Sequence, residues 1–173
     1  AKVGQIIGPE VEDLVYQDGI FHPVVIFVPC RLGVKDPDPK FAGVLKTVFG
    51  IPQFVGMLGG KPNNAFFFFY FDGKYLRFLD PHHPQPTVNM AGAWSTASYF
   101  TERENRLAYR DLDPCVSLVF LVKYEEDFAQ FMHDLDAPEF KKIFTIKRSR
   151  VQTFCPDDFI AIDDELDLLE ADL

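Results

Sequence analysis

Apolar residues fall in short blocks along this chain, and the spacing inside each block names an element. Ile20 to Cys30 holds the run Val24-Val25-Ile26-Phe27-Val28. It is continuous, β-branched and aromatic, which predicts a strand buried on both faces. Gly33 and Asp36-Pro37-Asp38-Pro39 end it. Phe41, Val44, Leu45 and Val48 then recur at helical spacing, with Asp36 or Asp38 as the cap, Pro39 in the first turn and Gly50 as the stop. Ala65-Phe66-Phe67-Phe68-Phe69-Tyr70-Phe71 has no polar alternation and predicts a central strand covered on both sides. Asp72-Gly73 is a two-residue hairpin signal, so the chain returns antiparallel along Lys74 to Asp80. Val116 to Val122 reads as another strand. Phe128, Phe131, Met132 and Leu135 give a helix over Glu125 to Leu135, with acids in the first turn where the helix dipole favours them. Phe144-Thr145-Ile146 reads as a last edge strand.

The stretches between these blocks read as irregular. Residues 1 to 19 are mixed and end in the turn signal Gln17-Asp18-Gly19. Gly59-Gly60-Lys61-Pro62-Asn63-Asn64 reads as a loop, because so many permissive and breaking residues oppose a regular element. Residues 83 to 114 are loop-rich, with Pro84, Pro86 and Gly92. The order strand, helix, strand, hairpin, strand, helix, strand is that of an α+β fold with a mainly antiparallel sheet.

Composition narrows the class. The 173 residues suffice for one domain with a sizeable core. Nineteen Phe imply that large rings fill it. No apolar run is long enough for a membrane span, and the start has no signal-peptide pattern. The net charge of −9 speaks against nucleic acid as a partner. That charge is uneven. Val151 to Leu173 carries eight acids and no Lys or Arg, while residues 1 to 150 hold 17 basic groups against the remaining 18 acids. We therefore expect a body at 1–156 and an acidic tail at 157–173, helical or disordered. Within the tail, Asp157-Asp158-Phe159-Ile160-Ala161-Ile162 places an aromatic and an aliphatic residue three apart behind acids. Phe159 and Ile162 then suit strand addition to a partner's sheet edge, although a solvated tail has the same composition. Cys30, Cys115 and Cys155 are odd in number and widely spaced. They resemble neither a disulfide framework nor a zinc site, and a reducing, cytoplasmic compartment is expected.

The candidate chemistry sits where the hairpin's second strand runs out, at Leu79-Asp80-Pro81-His82. Side chains two apart on an extended chain share a face, and Pro81 biases Asp80 towards extended geometry. A carboxylate beside an imidazole is the part of a catalytic triad that holds the ring's tautomer and steadies its positive charge. A turn with a capping carboxylate has the same spacing. His83 faces the opposite way on an extended chain, and His22 and His133 read as surface residues. No cysteine opens a helix, so none is an obvious nucleophile. The hairpin brings Asp80 and His82 back towards the end of the sheet where Gly59 to Asn64 lies.

Several of these blocks occur together in one family. Pro29-Cys30-Arg31-Leu32-Gly33, Gly50-Ile51-Pro52-Gln53-Phe54-Val55-Gly56-Met57-Leu58-Gly59-Gly60-Lys61-Pro62-Asn63, Leu79-Asp80-Pro81-His82-His83-Pro84-Gln85-Pro86 and Leu112-Asp113-Pro114 resemble the autophagin family of autophagy-related cysteine peptidases. The resemblance runs in family order from about Pro23 to Asp157. It implies a papain-like fold and a Cys-His-Asp triad in which Asp80 and His82 match the acid and the base. It implies that Lys61, Pro62, Asn63 and Asn64 match a regulatory loop that moves aside for substrate. The implied substrate is the precursor of a ubiquitin-like autophagy modifier, cut after its C-terminal glycine, or the same modifier released from phosphatidylethanolamine. Membrane contact would come only through that lipidated substrate, and Phe159 and Ile162 lie in a tail that would touch the modifier. No metal or organic cofactor is implied.

The family nucleophile lies in a Trp-Gly-Cys context in an N-terminal half with no counterpart here, together with the oxyanion donor and the tryptophan that shelters the site. Cys30 stands where the family has an aliphatic residue and Cys115 where it has Ser. Two readings follow. One is the C-terminal part of a cysteine endopeptidase, inactive by itself and bound to leave an apolar interface exposed. The other is a non-catalytic module that holds the modifier without cutting it. A third, an unrelated hydrolase using Cys30, has only that cysteine in its favour.

Overall fold

The computed structural model describes residues 4–88, 95–101 and 103–150. In chain order, β1 (Gly4–Ile7) leads into α1 (Gly8–Val15), and β2 (Tyr16–Gln17) and β3 (Ile20–Phe21) make a small hairpin. Then come β4 (Val24–Arg31), α2 (Ala42–Val48), β5 (Phe54–Lys61), β6 (Asn64–Phe71) and β7 (Tyr75–Leu79). β8 (Asn105–Ala108), β9 (Cys115–Val122), α3 (Glu125–Leu135) and β10 (Phe144–Lys147) complete the elements of the described residues. Six strands form one antiparallel sheet in the order β4-β9-β5-β6-β7-β8. β1 and β10 pair parallel in a sheet of their own. The architecture is α+β, as the alternation of patterns implies.

Local chemistry accounts for most boundaries. Asp38 is the cap at the start of the second helical segment: its carboxylate accepts from the Lys40 backbone N–H at 3.0 Å, ahead of a 3-10 turn at Pro39–Phe41. Gly50 ends that segment by donating to Thr47 O at 2.9 Å. α3 begins where the Tyr124 N–H donates to the Asp127 carboxylate at 3.2 Å, and its extent matches the helical spacing. The single strand expected over Ile20 to Cys30 is two, β3 and β4, parted at His22-Pro23. Proline has no N–H for a ladder. The β6–β7 turn centres on Gly73 (φ 103°) and Lys74, one residue later than the Asp-Gly signal implies. Asp72 instead holds the turn, accepting from Lys74 N and Tyr75 N, each at 2.7 Å.

Two expectations fail for instructive reasons. Gly59, Gly60 and Lys61 are not loop residues. They continue β5 and pair with Phe66, Ala65 and Asn64, so the turn is only Pro62-Asn63, with Asn63 at φ 68°. The glycine at Gly60 answers a close approach, since a Cβ there would lie 1.8 Å from Asn64 O. The second failure concerns cover. β4 and β6 are buried on one face only. Across the sheet, Val28, Leu118, Met57 and Phe68 form one lateral row and are at most 1% exposed. The helices pack on that side, contributing Val11 and Val15, Leu45 and Val48, and Phe131 and Leu135 to the same core. The neighbouring row, Pro29, Ser117, Leu58, Phe67 and Leu79, looks the other way. On that face Val25 is 54%, Phe27 56% and Leu58 41% exposed, and Phe69 and Tyr70 stand out beside it at a β-bulge. An apolar strand reads as doubly buried in sequence, yet among the described residues nothing covers this face. This face is an exposed apolar surface.

The elements missed include α1, an eight-residue helix in the stretch read as irregular, together with β1 and β8. β8 has one buried apolar residue, Leu107, and β1 meets β10 only across the length of the domain. The 156/157 boundary and the tail, including Phe159 and Ile162, lie outside the described residues.

Candidate active site

β7 ends at Leu79, and its neighbour Asp80 begins a tight turn through Pro81 and His82. The Asp80 carboxylate oxygen Oδ1 accepts from the His82 backbone N–H at 3.0 Å and lies 2.7 Å from His82 Nδ1. The pair meets through this turn and not, as the spacing alone suggests, along an extended strand. Proline supplies the geometry by fixing φ at the residue between them. Those two hydrogen bonds, backbone first, hold the Asp80 carboxyl below the usual carboxylate range. An ionised carboxylate only accepts, so Nδ1 carries the proton and Nε2 keeps its lone pair. Asp80 is largely screened, with 21% of its side chain exposed, while His82 is 49% open. The arrangement can take a proton at Nε2 and stabilise the imidazolium that results.

Two neighbours of this pair are not evident from sequence. The Phe66 ring of β6 stands edge-on to the His82 ring at 6.1 Å and stacks on Phe78 of β7 at 4.1 Å. It backs the imidazole with an apolar wall. His83 does not face away, because the same turn brings its Nε2 to 3.7 Å from Asp80 Oδ2. An extended-strand reading assigns His83 to the wrong face. Beside Asp80 a cleft of about 470 Å³ is lined by His83, Tyr99, Phe100 and Arg103 among others.

Lys61, Pro62, Asn63 and Asn64 are all exposed; Pro62-Asn63 make the β5–β6 turn, and Lys61 and Asn64 are the strand pair that closes it. Leu58, Phe67 and Leu79 share one lateral row, so this turn and the Asp80-His82 turn leave the same end of the sheet. Lys61 and Pro62 face Lys35, Asp36, Arg110 and Asp113 across a cleft of about 510 Å³. The Asp113 N–H donates to Gly60 O at 2.7 Å and ties the base of the turn to the strand next door. His22 is exposed, and His133 lies on α3 with most of its side chain in solvent.

Neither described cysteine reaches His82. Cys30 lies one row from the end of β4, four strand spacings from β7, or about 19 Å at the usual spacing between strands. It is buried, and burial pushes its thiol up to about 12, so it stays protonated. Cys115 starts β9, three spacings or about 14 Å away, and its sulfur accepts from Arg31 Nη1 at 3.3 Å. Cys155 lies outside the described residues. No described helix is long and apolar enough to cross a membrane, and no described group of three His, Cys, Asp or Glu side chains is placed to hold a metal ion.

Comparison with known proteins bears on this geometry. A family model described as the peptidase C54 catalytic domain matches residues 3–134. A mouse (Mus musculus) protein named cysteine protease ATG4A is 39% identical over 111 residues, covering 62% of this chain and 28% of its own length. A chicken (Gallus gallus) cysteine protease ATG4B is 34% identical over 119 residues, covering 67% and 30%. An Aspergillus niger protein named probable cysteine protease atg4 is 30% identical over 134 residues, covering 74% and 33%. The chain spans about three-tenths of the length of the curated relatives it matches.

Proposed function

This chain belongs to the peptidase C54 family, and from that premise we propose that it supplies the acid and base of a cysteine-peptidase active site. The observation that carries the proposal is the 2.7 Å contact between Asp80 and His82 Nδ1, which turns Nε2 to the other side of the ring with no partner among the described residues. The nucleophile comes from a part of the polypeptide outside this chain. His82 Nε2 takes the cysteine proton, giving a thiolate–imidazolium pair, and Asp80 holds the ring and offsets its charge. The thiolate attacks the carbonyl carbon of the scissile bond. His82 then donates its proton to the leaving amine, and the acyl group remains on sulfur as a thioester. Water, deprotonated by His82, hydrolyses that thioester and restores the thiol. The sequence uses no metal or organic cofactor.

The substrate we propose is a ubiquitin-like autophagy modifier, as a precursor cut after its C-terminal glycine or as the form joined to phosphatidylethanolamine. Support comes from the relatives' names and from the family motifs around Asp80 and Gly59-Gly60. Lys61 to Asn64 would act as the gate, a role supported by their exposure and by their position at the same end of the sheet as His82. The uncovered apolar face is suited to receive the rest of the enzyme. Phe159 and Ile162 are proposed contacts for the modifier, membrane contact is proposed only through the lipidated substrate, and the cytoplasm is the proposed place of action.

The test is His82→Ala in a polypeptide that joins this chain to its nucleophile, assayed by modifier cleavage. Loss of at least about 10³-fold is expected, and retained activity would end the proposal. The distances of Cys30 and Cys115 from His82 favour a second reading, in which this chain binds the modifier and does not cut it. Mixing the chain with precursor and following binding and cleavage separates the two. Cleavage that depends on Cys115 or Cys30 would overturn both.

A further inference from the structure

His83 touches the proposed acid–base pair, yet the proposed chemistry does not use it. Its Nε2 lies 3.7 Å from Asp80 Oδ2, while Asp80 Oδ1 serves His82. One carboxylate thus stands between two imidazoles, each on its own oxygen. At 3.7 Å the contact is no hydrogen bond, and it becomes an ion pair only when His83 is charged. Imidazole is the side chain that ordinarily gains its proton between pH 8 and 5.

We propose that His83 is a positioning residue that makes the Asp80-His82 pair sensitive to acid, by competing for Asp80 when it gains a proton. In the neutral state Asp80 answers to His82 alone. On acidification the second imidazolium draws on the same carboxylate and also repels the charged His82 ring. Both effects disfavour the imidazolium that His82 must carry in the thiolate pair. Among the described residues, other charges near His83 are few. Arg103 and the titratable Tyr99 line the cleft beside it, and Glu104 is engaged with Arg77 at 3.4 Å. Arg103 adds positive charge, in the same direction as a protonated His83. His83 is 62% exposed, so its leverage is the modest one of an exposed pair.

The proposal rests on the peptidase reading for its consequence but not for its physics, and two measurements keep them apart. The first follows the His82 imidazole by NMR against pH in the full chain, with His83→Gln and His83→Lys beside the parent. Gln should raise the His82 midpoint by about half a pH unit, and Lys should leave it below that of Gln at every pH. Identical His82 titrations in parent and His83→Gln overturn the proposal whatever the activity. The second is the pH dependence of kcat/KM for modifier cleavage in the polypeptide that includes the nucleophile. The ratio of activity at pH 6 to that at pH 8 should be about threefold higher in His83→Gln than in the parent. His83→Lys should be depressed across the range. An equal loss at every pH in His83→Gln marks a merely structural role and overturns the proposal, as do superimposable profiles. If His82→Ala keeps full activity, the peptidase reading falls and the NMR titration alone decides whether His83 and His82 are coupled.

Discussion

Replacing Gly60 by alanine tests the strand pairing that carries the turn at Lys61 to Asn64. The added Cβ would lie 1.8 Å from Asn64 O, 2.9 Å from Asn64 C and 3.2 Å from Ala65 Cα. All three are backbone atoms of the facing strand, so no side chain can move aside. The only relief is to part β5 and β6 at their tip, which breaks the Gly60–Ala65 and Lys61–Asn64 pairs and loosens the bond from Asp113 to Gly60. Two to three backbone hydrogen bonds at about 1 kcal/mol net each give a loss of about 2–3 kcal/mol. For a chain of this size that is a fall in Tm of about 5–10 °C. Gly43 is the control. It lies inside α2 with nothing within 4 Å of an added Cβ, so Gly43→Ala should stabilise by about 0.5–1 kcal/mol. The assay is thermal unfolding by circular dichroism, with amide exchange at Lys61, Asn64 and Ala65 to locate the change. If Gly60→Ala melts with the parent and those amides exchange as before, β5 does not run to Lys61 and the segment is an open loop.

Three further outcomes are expected. Phe120→Ala, at a fully buried ring, should cost about 3–5 kcal/mol in denaturant unfolding. By contrast Phe27→Ser, on the open face, should stay within about 0.5 kcal/mol and reduce dye binding to exposed apolar surface. Four carboxyls, Asp38, Asp72, Asp80 and Asp136, are each held below the usual carboxylate range by hydrogen bonds they accept. A depressed folded value means stability present above the unfolded value and lost as pH falls through the folded one, so Tm should drop below about pH 4. Asp72→Asn should lessen that drop, and a Tm indifferent to pH between 2 and 6 would contradict it. Asp80→Asn keeps an acceptor for the His82 N–H but removes the charge opposite the ring. In a polypeptide that joins this chain to its nucleophile, the proposed modifier cleavage should fall by about 10³-fold or more with little change in Tm, whereas full activity would mean that the charge is not used.

The contact between Asp80 and His82 was legible because everything that makes it is local. Three consecutive residues, Asp80, Pro81 and His82, form the turn, and the Asp72-Gly73 signal sets the hairpin that presents it. The helices at Ala42–Val48 and Glu125–Leu135 were legible for the same reason, since spacing and caps act within a few residues. What the sequence by itself left undecided depends on atoms far apart in the chain. Glycine at Gly60 looks the same whether it breaks a strand or admits a neighbour, and only the position of Asn64 O distinguishes the two. A run such as Phe66 to Phe71 records apolarity without saying which face is covered, and the helices settle that by packing on one side. His83 changed sides because a turn, not an extended strand, follows Asp80. Sequence alone already sets Cys30 and Cys115 aside as nucleophiles; what the sheet adds is their distance from His82, four and three strand spacings, because strand order is a property of the assembled sheet alone.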